Sequence, residues 1–168
     1  MQRVVEQLKN QPISFRLLQR VVPRHTKVIL YDDLPDTTLD KIFGKKKCLI
    51  ILYMMNHNKK AVGHYSTIIR HKTTYEYFSS YGFSPEAELH MTHNSGKLLK
   101  LLGKQYIRSG AKLQNLVHSN TCARWAYARC MLHEVPLQVF VKKYSSKMSV
   151  SQPDDLVILS TLFVFDKK

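Results

Sequence analysis

The chain has 168 residues, 44% of them hydrophobic, with six glycines, six prolines and three cysteines. That content suffices for one core of ordinary size, a single domain over 1–168, and excludes collagenous and low-complexity classes. Lysine and arginine number 26 against 12 acidic residues, a formal charge of +14, which favours contact with polyanions through counterion release.

No apolar run approaches the ~20 residues that span a bilayer. The start, M-Q-R-V-V-E-Q-L-K-N, lacks the apolar centre of a signal peptide. A soluble protein acting inside a cell, without membrane contact, is expected. The basic runs at 45–47, 59–60 and 142–143 accompany no nucleic-acid-binding motif. Non-specific DNA contact and a solvated basic surface therefore both stay open.

In chain order, apolar spacing predicts helices over 2–10 and 14–22, the second ended by Pro23. K-V-I-L-Y at 27–31 reads as a strand, and Asp36 as the cap of a helix over 37–43. The nearly continuous apolar run at 47–55 suits a strand buried on both faces. A turn is expected over 56–63, then an antiparallel pair at 64–70 and 74–79 in which Tyr75, Tyr77 and Ser79 share one face. Helices follow over 85–91 and 95–102, a strand at 112–116, and helices over 122–133, 136–144 and 153–165. Helices around a central group of strands make the class α+β.

Three cysteines without a C-x-x-C pair indicate neither a disulfide framework nor a zinc site, and His90 and His93, though spaced like ligands, read as solvated surface. No cofactor is expected. Cys48 and Cys130 fall in apolar settings and read as core. Cys122 differs because it opens a helix, with Asn120 or Thr121 as its cap. A helix N-terminus carries about +0.5 of an elementary charge and unpaired N–H groups, which favour a thiolate and prepare an oxyanion site. Leu113, Leu116 and Val117 would anchor the approach to that turn. The base such a sulfur needs is best supplied by His64, which follows Gly63 at the opening of a strand. His118 lies nearer in sequence but four residues before the sulfur, where it is poorly placed to face it.

These residues form a recognisable series: L-I-I-L-Y, then G-H-Y-S-T-I-I-R, Y-E-Y-F-S-S-Y-G-F-S-P and L-Q-N-L-V-H-S-N-T-C-A-R-W. Together, from Val28 to His133, they resemble the adenovirus-type maturation cysteine proteases of virophages and Polinton-like (Maverick) elements, which are related to the ubiquitin-like-protein proteases. The resemblance implies a papain-like or adenain-like fold, with a mainly antiparallel or mixed sheet and the nucleophile at the N-terminus of a central helix. It implies Cys122 as nucleophile, His64 as base and Gln114 as oxyanion donor. It also implies capsid protein precursors as substrates, cut at small, glycine-containing sites, and an enzyme of the virion and the viral factory in the host cytoplasm. A monomer is expected.

Three positions depart from the family's pattern. Tyr65 replaces a tryptophan, Ala123 replaces the glycine after the nucleophile, and Ser79 stands where an aspartate is usual. A hydroxyl orients an imidazole but adds no charge. Glu76 is the nearest acid along the strand, yet alternation turns it to the other face. The expectation is a Cys122–His64 dyad with Ser79 as a weak orienter and reduced activity. A protease of ubiquitin-like modifiers, or a DNA-binding capsid component whose protease site has decayed, are the alternatives.

Overall fold

The computed structural model describes residues 2–57, 60–115, 119–145 and 152–166. Helices α1 (Gln2–Lys9) and α2 (Phe15–Val21) lead into strand β1 (Thr26–Leu30), a 3-10 turn at Tyr31–Asp33 and helix α3 (Leu39–Phe43). Strands β2 (Cys48–His57), β3 (Lys60–Arg70) and β4 (Tyr75–Ser79) follow, then α4 (Pro85–Thr92), α5 (Lys97–Leu102) and β5 (Tyr106–Arg108). The chain continues through α6 (Cys122–Met131), α7 (Leu137–Ser145) and α8 (Pro153–Phe165).

The five strands form one mixed sheet in the order β1-β2-β3-β4-β5. The outer pairs, β1 with β2 and β4 with β5, are parallel, and the inner pairs are antiparallel. Parallel neighbours need a crossover; α3 makes the first, and α4 with α5 makes the second. The architecture is α+β, a five-stranded mixed sheet flanked by helices.

Strand alternation sorts the core into two layers. Cys48, Ile50 and Leu52 of β2 with Tyr65 and Ile69 of β3 pack under α2 and α6. Leu49, Ile51 and Tyr53 with Ile68 and Tyr77 pack against α3, α5 and Tyr31. Residues Cys48–Ile51 are entirely buried, as the unbroken apolar run requires. Helix α6 is buried along nearly its whole length: each of residues 122–130 is buried, and only Met131 at its end is exposed. The sheet covers one flank, while Phe140 and Tyr144 of α7 and Val157 of α8 enclose Trp125 and Ala128 on the other. Two buried arginines anchor it. Arg129 forms a bidentate pair with Glu76 at 2.7 and 2.9 Å, and Arg124 pairs with Asp166 at 2.7 Å and bonds Thr161.

Three expectations need correction. Among the described residues 112–115 there is no strand, because Leu113 and Gln114 both donate their backbone N–H to the one carbonyl of Ser80. The fifth strand is Tyr106–Arg108 instead. The turn expected over 56–63 is mostly ladder, with Asn56 opposite Ala61 and His57 opposite Lys60; backbone pairing does not require apolar side chains. Thr38, not Asp36, caps α3, accepting from the Lys41 N–H. Leu116, Val117, His118 and Lys59 lie outside the described residues.

Candidate active site

Cys122 is the first residue of α6 and 7% exposed, with its sulfur 4.0 Å from the Gly63 carbonyl oxygen. Thr121 occupies the N-cap position but makes no side-chain cap. Its hydroxyl donates instead to Asp154 Oδ1 at 2.5 Å. The first turn therefore keeps N–H groups that no capping side chain claims, beside the sulfur, where an anion would be stabilised.

His64 reaches this point from β3. The side chain is 1% exposed, and the nearby Cys122 sulfur favours the charged form of its imidazole. Nδ1 is buried with no hydrogen-bond partner, whereas Nε2 is taken. Nε2 lies 3.2 Å from Ser79 Oγ, as strand alternation predicts. It also lies 3.0 Å from Glu88 Oε1, and that carboxylate is likewise 1% exposed. The sequence reading missed Glu88. A Cys122–His64 dyad oriented only by a hydroxyl is thus incomplete: a carboxylate is present, delivered by α4 rather than by β4.

Glu88 arrives there through ordinary helix mechanics. Ser84 caps α4, accepting from the Ala87 N–H, and Pro85 opens its first turn. Pro85 and Glu88, three residues apart, are the two buried positions of the helix. Neither Glu88 oxygen has an aligned hydrogen bond. A buried carboxylate so placed is costly unless an opposite charge faces it. The imidazolium of His64 is that charge. Burial by itself pulls the imidazole pKa down, but the Glu88 carboxylate, aided by the Cys122 sulfur, outweighs it and holds the group at about 10. The same carboxylate adds to burial in pushing the Tyr53 and Tyr77 phenols up.

Tyr81 joins the two halves of the site. Its ring stacks on His64 with centroids 4.6 Å apart, and its hydroxyl accepts from Gln114 Nε2 at 3.1 Å. Gln114 is 5% exposed. Ser80 donates to its Oε1 at 2.6 Å, which fixes the amide orientation, and Nε2 donates also to the Ser119 carbonyl at 3.0 Å. Both amide hydrogens are therefore engaged at rest, and the one given to Tyr81 is the one a substrate oxyanion can compete for. Gly82 permits this arrangement. It has φ +74°, and a Cβ there would come within 2.5 Å of the Gly110 carbonyl, so only glycine lets the 109–114 segment lie against the turn.

Asp154, at the start of α8, organises the approach to Cys122. It accepts from the Asn115 N–H, Ser119 Oγ, Thr121 Oγ1 and Trp125 Nε1. One buried carboxylate thus ties the segment before the sulfur, and the next turn of α6, to a distant helix. Beside the sulfur runs a largely apolar groove of about 540 Å³ lined by Ile13, Phe15, Leu52, Met54, Gly63 and Tyr65. Tyr65, at the place of the tryptophan, donates its hydroxyl to the Ile13 carbonyl at 3.4 Å and so closes one wall.

Of the residues named from sequence, Cys122, His64 and Ser79 converge. Gln114 joins them through Tyr81, and Glu76 is turned away to Arg129. Cys48 and Cys130 are fully buried, as expected of core residues. His90 and His93 are exposed. Tyr81 and Asp154 went unnoticed; the first signals itself only as an aromatic before Gly82, the second as an acid in a helix first turn. No helix among the described residues is long and apolar enough to cross a membrane. No protein-family model matches the chain, and no curated protein does.

Proposed function

We propose that the chain is a cysteine endopeptidase in which Cys122 is the nucleophile, His64 the general base and Glu88 the carboxylate that holds the imidazolium. The observation that carries this reading is one buried imidazole held 3.0 Å from a buried carboxylate, on the residue next to the Gly63 carbonyl that the helix-opening Cys122 sulfur contacts. His64 rests as the imidazolium that faces Glu88, having taken the Cys122 thiol proton, and the thiolate of that pair attacks a peptide carbonyl. The oxyanion forms beside the Cys122 N–H, with Gln114 Nε2 as second donor. Protonation of the leaving amine by His64 releases it and leaves a thioester and a neutral imidazole. Water, deprotonated by that imidazole, then hydrolyses the thioester and restores the thiolate–imidazolium pair.

The substrate side of the proposal rests on the motif resemblance: capsid protein precursors of a virus or virus-like element, cut during virion maturation within a papain-like fold. The apolar groove supports an extended peptide lying across Gly63. The +14 charge supports packaging beside DNA, which would raise the local concentration of enzyme. Co-expression with the candidate capsid precursor tests the reading. A size shift with the wild type and none with Cys122→Ala is the expected result. No shift, together with no labelling of Cys122 by a thiol-directed peptide probe, overturns it. Cleavage of a ubiquitin-like precursor in place of the capsid protein would keep the chemistry and replace the substrate.

A further inference from the structure

At the opposite end of α6 from Cys122, three side chains converge that the proposed chemistry does not use. Nitrogens of His25 and His133 and the sulfur of Cys48 all lie within 4.8 Å of one another. They come from three separate places: just before β1, the first residue of β2, and just beyond α6. Their backbones are held together, since the His25 carbonyl accepts the N–H groups of Lys47 and Cys48 at 2.8 and 3.1 Å. The two imidazole rings are 4.3 Å apart, centroid to centroid.

All three groups point at a single atom. The Cys130 carbonyl oxygen is 3.1 Å from His25 Nε2, 3.2 Å from His133 Nδ1 and 3.9 Å from Cys48 Sγ. A carbonyl offers two lone pairs, so three donors oversubscribe it. The same four atoms suit a shared cation better. Bonds of about 2.0–2.3 Å in a tetrahedron set ligand atoms roughly 3.3–3.8 Å apart; the carbonyl oxygen stands 3.1–3.9 Å from the other three, which lie within 4.8 Å of one another. Two imidazoles and a thiolate are the donor set of zinc-type sites. The other nitrogen of His133 faces Glu134 at 3.9 Å, an outer partner of the kind that orients a ligand. The carbonyl lies in the last turn of α6, where the helix dipole favours a cation.

We propose that His25, Cys48 and His133, with the Cys130 carbonyl, bind one Zn2+ that fastens the C-terminal end of the nucleophile helix to the edge of β1 and β2. The site is independent of the protease reading. Cys48 binds as thiolate, releasing its proton to solvent, and both histidines bind as neutral imidazoles. His25 and His133 are half-buried, which leaves the ion a path from water.

Co2+ titration of the Cys122→Ala protein, which removes the thiol near His64, tests the assignment. The expected result is one equivalent bound with a sulfur-to-cobalt charge-transfer band and the visible bands of a tetrahedral ion, all abolished by competing Zn2+. Cys48→Ser in that background removes the charge-transfer band, whereas Cys130→Ser retains it. The double variant His25→Asn/His133→Asn weakens binding at least tenfold. Thermal unfolding supplies a second measurement should Cys48→Ser fail to fold: Zn2+ raises the midpoint of the Cys122→Ala protein and leaves that of the double histidine variant unmoved. Absence of stoichiometric Co2+ binding overturns the proposal, as does binding that survives loss of both histidines or a band that follows Cys130.

Discussion

Glu88 Oε1 lies 3.0 Å from His64 Nε2, and both side chains are 1% exposed. The contact joins a helix to a strand across the sheet and gives the imidazole a charged partner where β4 offers only a hydroxyl. Glu88→Gln keeps the shape of the side chain and removes its charge. Peptide cleavage should fall by about 10²-fold, at the lower end of what a positioned acid–base group contributes. Equal rates for the two proteins in a peptide-hydrolysis assay would remove Glu88 from the site.

Ser79→Ala should cost less than about 10-fold in the same assay, because Glu88 continues to hold the charged imidazole. Ser79→Asp should not raise the cleavage rate. It sets a second carboxylate against the same imidazole, so stability should fall by about 1–3 kcal/mol in urea denaturation. A gain in rate from Ser79→Asp would mean that Glu88 is not the working carboxylate.

The His64–Glu88 pair also sets a pH dependence. The imidazole pKa is raised from 6.5 to about 10 in the folded protein. A raised pKa means that the folded state holds the proton more tightly than the unfolded state does. The resulting stability is complete below pH 6.5 and disappears as the pH climbs to about 10. Denaturation midpoints of the wild type should decline across that window, while those of Glu88→Gln should stay nearly flat.

Gln114→Ala should lower turnover by about 10²–10³, the usual cost of an oxyanion donor. It should also destabilise the protein by about 1–3 kcal/mol, because the buried Ser119 carbonyl and Ser80 hydroxyl lose their partner. Tyr81→Phe separates the two effects. It frees one amide hydrogen of Gln114 for substrate, so turnover should change far less than in Gln114→Ala, as steady-state kinetics would report.

Asp154→Ala leaves Ser119, Thr121 and Trp125 without their common acceptor. Stability should drop by about 3–5 kcal/mol. Any protein that still folds should have lost most Cys122 reactivity, because the turn that leads into α6 is no longer held. Thermal scans and probe labelling of the same samples measure both.

Much of this was legible in the residue order. The apolar run at 48–52 made a buried central strand, and alternation along β4 put Ser79 on the face that meets His64. Cys122 announced itself by opening an amphipathic segment after polar residues suited to a turn. Glu88 did not, because acids in the first turn of a helix normally serve the dipole from the surface. The clue was its place: with Pro85 it lies on the inward stripe of α4, where a solvated acid has no reason to be. Tyr106–Arg108 was hidden for a different reason. Three residues after Lys104 and Gln105 carry no period, and only the neighbouring Tyr75–Tyr77 backbone makes them a strand. Asp154 reaches Cys122 through contacts between distant parts of the chain, which no local pattern encodes.

The strands β1 to β5 lie side by side in the order in which they leave the ribosome. Each new strand finds its partner already made, so the sheet can zip up as synthesis proceeds, every strand pairing with the one just before it in the chain. Cys122 comes later in the chain, and Asp154, which ties the turn before it, later still, on α8. A growing chain thus holds its sheet before it holds the turn that places this sulfur.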